Sequence, residues 1–207
     1  MLRCFCRPKL NCKISNSLVM SVHAIFEAPY PVNEPVLEYR PGSAERDELL
    51  KAIRNIKSKQ WNIPMVIGGK EVFTDQKRSL HPPHELSHTL GHYSRGDRSH
   101  GRQAIEAALK AKPAWAAMPW EERAAVFLRA AELISGPRRA VMNAATMLGQ
   151  SKTIFQSEID AVCELADFLR FNVHYMTEIY QDQPGSDPGI WNRMEYRPLE
   201  GFVFAIT

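Results

Sequence analysis

Disulfide-forming cysteines, long apolar segments and an excess of charge are all missing from the body of this 207-residue chain. Three of its four cysteines, Cys4, Cys6 and Cys12, lie within the first 26 residues, so Cys163 is alone in the body. The body therefore has no disulfide framework, and a reducing compartment fits this composition. No apolar run reaches the ~20 residues that a membrane-spanning helix needs. We therefore expect no membrane insertion.

The net charge of +3 hides an uneven distribution. Four of the 26 basic residues lie in residues 1–26 with no acidic residue, which leaves 22 basic against 23 acidic residues in the body. A nucleic-acid binder keeps its positive charge in the folded body, so we expect no nucleic-acid partner. A basic, acid-free segment with several serines is typical of an organellar transit peptide, and we predict a mitochondrial one at residues 1–28. A disordered N-terminus is the alternative.

Hydrophobic periodicity and proline positions predict an arm, a hairpin and a succession of helices. Met65–Ile67 and Glu71–Phe73 flank Gly68 and Gly69, and two glycines between short apolar segments are typical of a hairpin turn with positive φ. The His- and Pro-rich segment 80–101 carries little periodicity. The other predicted elements are an extended arm over 27–43, a helix over 44–59, helices over 102–113, 119–135 and 137–149, and a long helix over 155–176.

The long helix and the last residues favour an α/β protein. Two apolar stripes run along the helix, one through Val162 and Ala166 and the other through Phe168, which predicts an internal helix covered on both sides. Phe202–Ile206 is a continuous apolar run behind a glycine, as in a strand buried on both faces of a parallel sheet. Such a strand needs neighbouring strands and covering helices. We therefore expect the chain to be the front part of a larger α/β protein.

The segment from His84 to His88 matches the HExxH pattern of zinc peptidases. On a helix, the two histidines would share one face and bind Zn²⁺, and Glu85 would activate a water molecule. The prolines before the pattern and the glycines after it leave barely two turns of helix. A solvated or locally packed histidine cluster is therefore favoured, and a zinc metallopeptidase-like protein is kept as the alternative function.

Two neighbouring residues of the long helix are candidates for chemistry. Cys163 lies in mid-helix beside an apolar stripe, which favours a buried small residue over a thiol nucleophile. Glu164 is the only carboxylate in a stripe with Phe168, Phe171 and Tyr175. A carboxylate placed there needs a cation or hydrogen-bond donors, either a ligand ammonium group or an internal Lys or Arg. No glycine-rich phosphate loop occurs, and these residues alone form no complete active site.

Several blocks resemble the aldehyde dehydrogenase superfamily. Glu122–Ile134 is similar to its N-terminal helical region, and Arg197–Thr207 is similar to the first strand of its cofactor domain. Asn33–Leu37, Leu133–Ala140 and Gly149–Ala161 resemble the branch of the superfamily that oxidises L-glutamate γ-semialdehyde. The resemblance spans residues 33–207 and covers only the front part of the family's chain.

This resemblance implies an α/β fold: the N-terminal helical part of an aldehyde dehydrogenase-like fold, truncated at the first strand of the cofactor-binding sheet. It implies four regions along the chain. They are a mitochondrial transit peptide at 1–28, an N-terminal aldehyde dehydrogenase region with arm, hairpin and helices at 29–186, an oligomerisation strand region at 187–200, and the start of the NAD-binding domain at 201–207.

The resemblance also implies a reaction, the NAD-dependent oxidation of L-glutamate γ-semialdehyde to L-glutamate in proline degradation, in the mitochondrial matrix. In the family a Cys thiolate attacks the aldehyde, a hydride passes to NAD⁺, and a Glu-activated water hydrolyses the thioester. The resemblance places that Cys and Glu outside this sequence, so we expect no catalytic residue here and an inactive fragment. The full-length protein is expected to be a homo-oligomer.

Two positions of the chain carry over from the family. Glu164 aligns with a Glu that contacts the amino-acid end of the substrate, and Thr207 aligns with a position whose backbone lies against the nicotinamide nucleotide. The third reading, a non-catalytic interaction fragment, is motivated by the apolar run at 202–206, because exposed apolar strand edges recruit partners.

Overall fold

The structure is a computed structural model that describes residues 27–206. The transit peptide predicted at 1–28 and the cofactor contact predicted at Thr207 therefore lie outside, or almost wholly outside, the described residues. The elements, in chain order, are α1 (Ala44–Lys57), β1 (Trp61–Ile63), β2 (Met65–Ile67), β3 (Lys70–Val72), β4 (Lys77–Leu80), β5 (Gly91–Ser94), α2 (Arg98–Ala117), α3 (Trp120–Ser135), α4 (Arg139–Gln150), α5 (Ile154–Ser157), a π-helical segment (Glu158–Cys163) and α6 (Glu164–Gln181).

The first helix and the hairpin form where the sequence predicts them. Ser43 caps α1 by accepting a hydrogen bond from the Arg46 amide at 3.4 Å, and acidic residues in the first turn suit the positive end of the helix dipole. Strands β2 and β3 pair antiparallel with Ile67 opposite Lys70. The two glycines between them have φ of 58° and 77°, as a two-residue turn of type I′ requires.

The His- and Pro-rich segment contributes two strands to a sheet that the periodicity does not reveal. Strand β5 lies between β1 and β4, parallel to the first and antiparallel to the second. Gly91 permits this pairing, because a Cβ atom there would lie 2.1 Å from the carbonyl oxygen of Trp61. The strand therefore depends on a close backbone approach rather than on an apolar pattern.

The predicted boundaries of two helices were wrong. Helix α2 begins four residues before Arg102, because Asp97 caps it through the amides of Ser99 and His100 at 2.8 and 3.2 Å. It also continues through Pro113, which removes one helical hydrogen bond without ending the helix. Helix α4 ends after Gln150 rather than at Gly149, since Ser151 takes up the left-handed conformation with φ of 59°.

The long helix is continuous from Ile154 to Gln181, with a π-helical segment one turn after its N-terminal end. Its inner stripe is buried, with Val162 and Ala166 0% and Val173 4% exposed. Its second stripe is open, with Phe168 63% and Tyr175 50% exposed. The prediction of an internal helix is therefore wrong for the described part of the chain, where α3 and α4 cover only one side.

The arm, α1 and α4 enclose a small core of Tyr39, Leu49, Ala52 and Ala144. Beyond α6, residues 182–206 form neither helix nor strand. The strand predicted over Phe202–Ile206 is not formed, since no described strand lies beside it, and Phe204 is 78% exposed. No helix of the described region is both long and apolar enough to cross a membrane.

Candidate functional site

The candidate site is the open side of the long helix, where Glu164 is the first residue of α6. Its carboxylate is exposed and makes no hydrogen bond or ion pair with any residue that the structure describes. Phe168 lies one helical turn further on, and the rings of Phe171 and Tyr175 follow with their centroids 6.1 Å apart. The site therefore presents one free negative charge beside a row of aromatic side chains.

The structure bears on one of the two partners that the sequence allows for Glu164, an internal Lys or Arg. Within residues 27–206 no Lys or Arg is paired with Glu164, because the ion pairs of that range involve other carboxylates. The carboxylate therefore remains available to a cation that lies outside the described residues, and the aromatic side chains of its stripe are compatible with an organic ammonium group.

A second carboxylate, Glu158, lies six residues earlier and is fully buried. Its Oε2 atom accepts hydrogen bonds from the Tyr39 hydroxyl at 2.8 Å and from the Asn143 amide at 2.7 Å. Its Oε1 atom accepts a hydrogen bond from the Leu37 backbone amide at 2.9 Å and forms an ion pair with the Arg139 guanidinium. Glu158 thus joins the arm to α4 and to the π-helical segment that leads into Glu164.

Arg139 completes this buried cluster from the first turn of α4. Its guanidinium donates to Glu34 and to the carbonyl oxygen of Pro35, both at 2.6 Å, besides its bonds to Glu158. Arg170 donates to the other oxygen of Glu34 at 2.7 Å, and Asp167 accepts the Glu34 amide at 2.7 Å. The arm is therefore held by charged side chains of the helices; we call Glu34, Arg139, Glu158, Asp167 and Arg170 the arm clamp.

The charges of the arm clamp set the ionisation of its members. Burial alone would raise the pKa of Glu158, but hydrogen bonds from Arg139, the Leu37 amide, Asn143 and Tyr39 outweigh it and lower that pKa. Burial and the Glu158 charge raise the pKa of Tyr39. Glu158 therefore stays ionised and Tyr39 stays a hydrogen-bond donor.

Cys163 lies against the arm clamp and is 4% exposed. Its sulfur is 3.8 Å from the carbonyl oxygen of Pro35 and 3.9 Å from Glu158. Burial, followed by the Glu158 charge, raises the pKa of Cys163 to about 11. A buried thiol kept in its neutral form is not a nucleophile, as the mid-helix position predicts.

The HExxH residues do not form the helix that a zinc peptidase needs. Two successive turns replace the helix. The backbone carbonyl of Pro82 accepts a hydrogen bond from the Glu85 amide, and the backbone carbonyl of Glu85 accepts one from the His88 amide, each at 3.0 Å. His84 is hydrogen-bonded to Ser151 at 2.8 Å, and Glu85 is paired with Lys57. These contacts fix the loop on α1 and α4, and the described residues contain no group of three or more candidate metal ligands. The zinc alternative is therefore wrong in its geometry.

Sequence reasoning singled out Glu164 as a candidate, which stays a prediction, and missed the arm clamp. Glu158 falls on the helical face of Val162, so the argument that singles out a carboxylate in an apolar stripe applied to it as well. The sequence analysis did not single out Arg139, whose side chain is only 12% exposed within its ion pairs.

Residues 73–207 match the Aldehyde dehydrogenase family, about two thirds of the chain. The chain belongs to the aldehyde dehydrogenase family, and the family resemblance seen in the sequence is confirmed.

The relatives narrow the similarity to one activity within that family. The chain is 47% identical to the delta-1-pyrroline-5-carboxylate dehydrogenase of Agaricus bisporus, covering 89% of this chain and 34% of that protein. It is 46% identical to the mitochondrial delta-1-pyrroline-5-carboxylate dehydrogenase of Homo sapiens, covering 84% and 31%. The crystal structure of the Mycobacterium tuberculosis Delta-pyrroline-5-carboxylate dehydrogenase bound with NAD superposes with a TM-score of 0.85 and 48% identity, covering 87% and 34%. The chain thus spans about a third of the length of the relatives it matches.

Proposed function

We propose that this chain forms the helical front part of an NAD-dependent enzyme that oxidises L-glutamate γ-semialdehyde, formed from Δ1-pyrroline-5-carboxylate, to L-glutamate. The observation that carries the proposal is the extent of the similarity. Relatives and a solved structure that bear this activity in their names are 46 to 48% identical over 84 to 89% of this chain.

In this proposal Glu164 binds the amino-acid end of the substrate. The α-ammonium group of the semialdehyde carries a positive charge, and the free carboxylate of Glu164 carries the opposite charge. A charge-assisted hydrogen bond of this kind contributes about 1.5 to 3 kcal/mol. Glu164 would therefore orient the substrate so that its aldehyde end points away from α6.

NAD would accept the hydride in this reaction. The described residues contain no glycine-rich phosphate loop, so they do not hold the dinucleotide by themselves. Their part would be the exposed segment 202–206, which leads to the proposed backbone contact at Thr207 and lies in the proposed start of the NAD-binding domain at 201–207. No described side chain takes part in the hydride step.

Location and assembly extend the proposal. Relatives from fish, human and cattle carry the word mitochondrial in their names. Together with the basic, acid-free residues 1–26, this supports a transit peptide at 1–28 and a mitochondrial matrix location. We also propose a homo-oligomer of the whole enzyme, in which 187–200 supplies an oligomerisation strand. Trp191, 82% exposed, is its largest open side chain.

The test is a chimera in which this chain replaces the matching segment of the Agaricus bisporus enzyme. The chimera should form NADH from NAD⁺ when the semialdehyde is added, measured by absorbance. Glu164→Gln should raise KM for the semialdehyde roughly tenfold or more, and leave KM for pentanal nearly unchanged because pentanal has no ammonium group.

The control is Glu122→Gln on α3, which removes another exposed carboxylate that has no ion-pair partner within residues 27–206. A chimera with the circular dichroism and assembly of the parent that forms no NADH would show that the proposed function is wrong. Equal effects of Glu164→Gln on both aldehydes would leave the function standing and remove Glu164 from the substrate site.

The non-catalytic interaction reading is favoured by one observation, the exposure of Leu199, Val203, Phe204 and Ile206 at 77 to 85%. Under that reading the 207-residue chain binds the full-length enzyme. Co-purification of the two from a mixture would support it, and a free chain beside intact enzyme would count against it.

A further inference from the structure

We propose that a cavity between α2, α3 and α6 binds a small carboxylate with an apolar body. The cavity has a volume of about 250 Å³. Its walls are mainly apolar, and the lining side chains with polar atoms are Arg123, Asn172 and the indole of Trp115. The lining includes Trp115, Arg123, Phe127, Asn172, Val173 and Met176.

The charge of Arg123 is the feature that points to an anion. Its Nε atom is buried and has no hydrogen-bond partner. Its Nη2 atom donates only a long bond of 3.4 Å to the Tyr180 hydroxyl. Within residues 27–206 no carboxylate is paired with Arg123, and no acidic residue lines the cavity. A half-buried cation without a counter-charge is energetically costly. An anion that enters the cavity would therefore form the ion pair and hydrogen bonds with Arg123 that the described residues do not supply.

The planar donors of a guanidinium match a carboxylate, and the other walls exclude a ligand that is charged throughout. The volume is that of about eight water molecules, which admits a carboxylate about the size of hexanoate and excludes a nucleotide. The site is on the opposite side of α6 from Glu164, because Val173 follows Glu164 by two and a half helical turns. It is therefore separate from the substrate contact proposed above and does not depend on it.

Hexanoate is the probe for the first experiment, with hexanamide and hexylamine as neutral and cationic analogues of the same length. Each is titrated into the full 207-residue chain with ¹³C-labelled methionine methyl groups, and the Met176 signal is followed by NMR. Hexanoate should shift Met176 with a Kd at least tenfold lower than hexanamide, and hexylamine should not bind.

Variants then assign the effect to the cavity. Arg123→Gln should weaken hexanoate binding at least tenfold, and Ala124→Leu, which fills the lining beside it, should abolish binding while keeping the charge. Arg129→Gln is the matched control, since Arg129 is an exposed arginine of the same helix without an ion pair among the described residues. It should leave the Kd unchanged.

Equal affinities for hexanoate and hexanamide, or unchanged hexanoate binding in Arg123→Gln, would overturn the proposal. So would the lack of any Met176 shift at tens of millimolar hexanoate. If Arg123→Gln does not fold, the comparison of the three probes on the unmodified chain still decides the outcome.

Discussion

Replacing Arg139 by alanine should release the arm from the helices. The substitution removes the bonds to Glu34, to the Pro35 carbonyl and to Glu158, whose side chain is 1% exposed. Glu158 would keep its bonds from Tyr39, Leu37 and Asn143 but lose the one cation paired with it among residues 27–206. Removing one partner of a buried ion pair costs about 3 to 5 kcal/mol, and this cost falls on the closed state of the arm.

Hydrogen exchange followed by mass spectrometry measures that cost where it arises. The Glu34 and Leu37 amides donate to Asp167 and Glu158, so they exchange only when the arm opens. Each 1.4 kcal/mol of lost stability is a tenfold change, so a loss of about 3 kcal/mol predicts exchange about a hundredfold faster in the arm peptide.

Arg138→Ala is the matched control, because the neighbouring arginine is exposed and has no ion pair within the described range. The hairpin peptide spanning β2 and β3 is the internal reference, since it does not contact Arg139. Arm exchange in Arg139→Ala no faster than in Arg138→Ala would refute the clamp. Equal acceleration in arm and hairpin would mean that the substitution unfolds the whole chain.

Three further outcomes follow from the same structure. The pKa of Glu158 is lowered in the folded chain, so the stability that its ionised carboxylate contributes is fully present above the ordinary glutamate pKa of about 4.3 and is lost as pH falls through the lower folded pKa. Exchange of the arm amides, corrected for intrinsic rates, should therefore stay constant from pH 7 to about 5 and accelerate only below about pH 4. Gly69→Ala should destabilise the hairpin by about 1 kcal/mol, because the φ of Gly69 is 77°. Gly149→Ala should stabilise the chain by about 0.5 to 1 kcal/mol, because Gly149 is helical and no atom lies within 4 Å of the added Cβ. Urea unfolding or hydrogen exchange of the local peptides compares the two variants, and equal effects would contradict the backbone argument. With its pKa raised to about 11, Cys163 should react with iodoacetamide at pH 8 about two-hundredfold more slowly in the native chain than in urea, and comparable rates would show that the thiol is neither buried nor suppressed.

Local signals were sufficient for the elements whose form depends on nearby residues. Two glycines fix the hairpin turn, and Ser43 with two acids in the next turn fixes the start of α1. The substrate contact at Glu164 stays a prediction, made from its place among aromatic residues in the sequence. These features need no information from distant parts of the chain.

The remaining features depend on contacts across the chain. Strand β5 exists because Gly91 lets it approach Trp61, and the two residues are thirty positions apart. The π-helical segment has no periodicity of its own, and Glu158 has partners more than a hundred residues away in the arm. The sequence predicts a buried second stripe on the long helix, because apolar residues indicate that another surface covers them. They do not indicate which part of the protein supplies that surface, and residues 27–206 do not supply it.

The manner in which the arm is held affects how freely its sequence can vary. The helices contact the backbone of residues 34 to 37 through the Glu34 and Leu37 amides and the Pro35 carbonyl, so Val36, 48% exposed, contributes nothing to the attachment. Random mutagenesis should therefore recover many neutral replacements at Val36 and almost none at Arg139 or Glu158. Sequence drift in the arm should therefore be confined to positions such as Val36, while Glu34 and Tyr39, whose side chains are bonded to the helices, stay fixed.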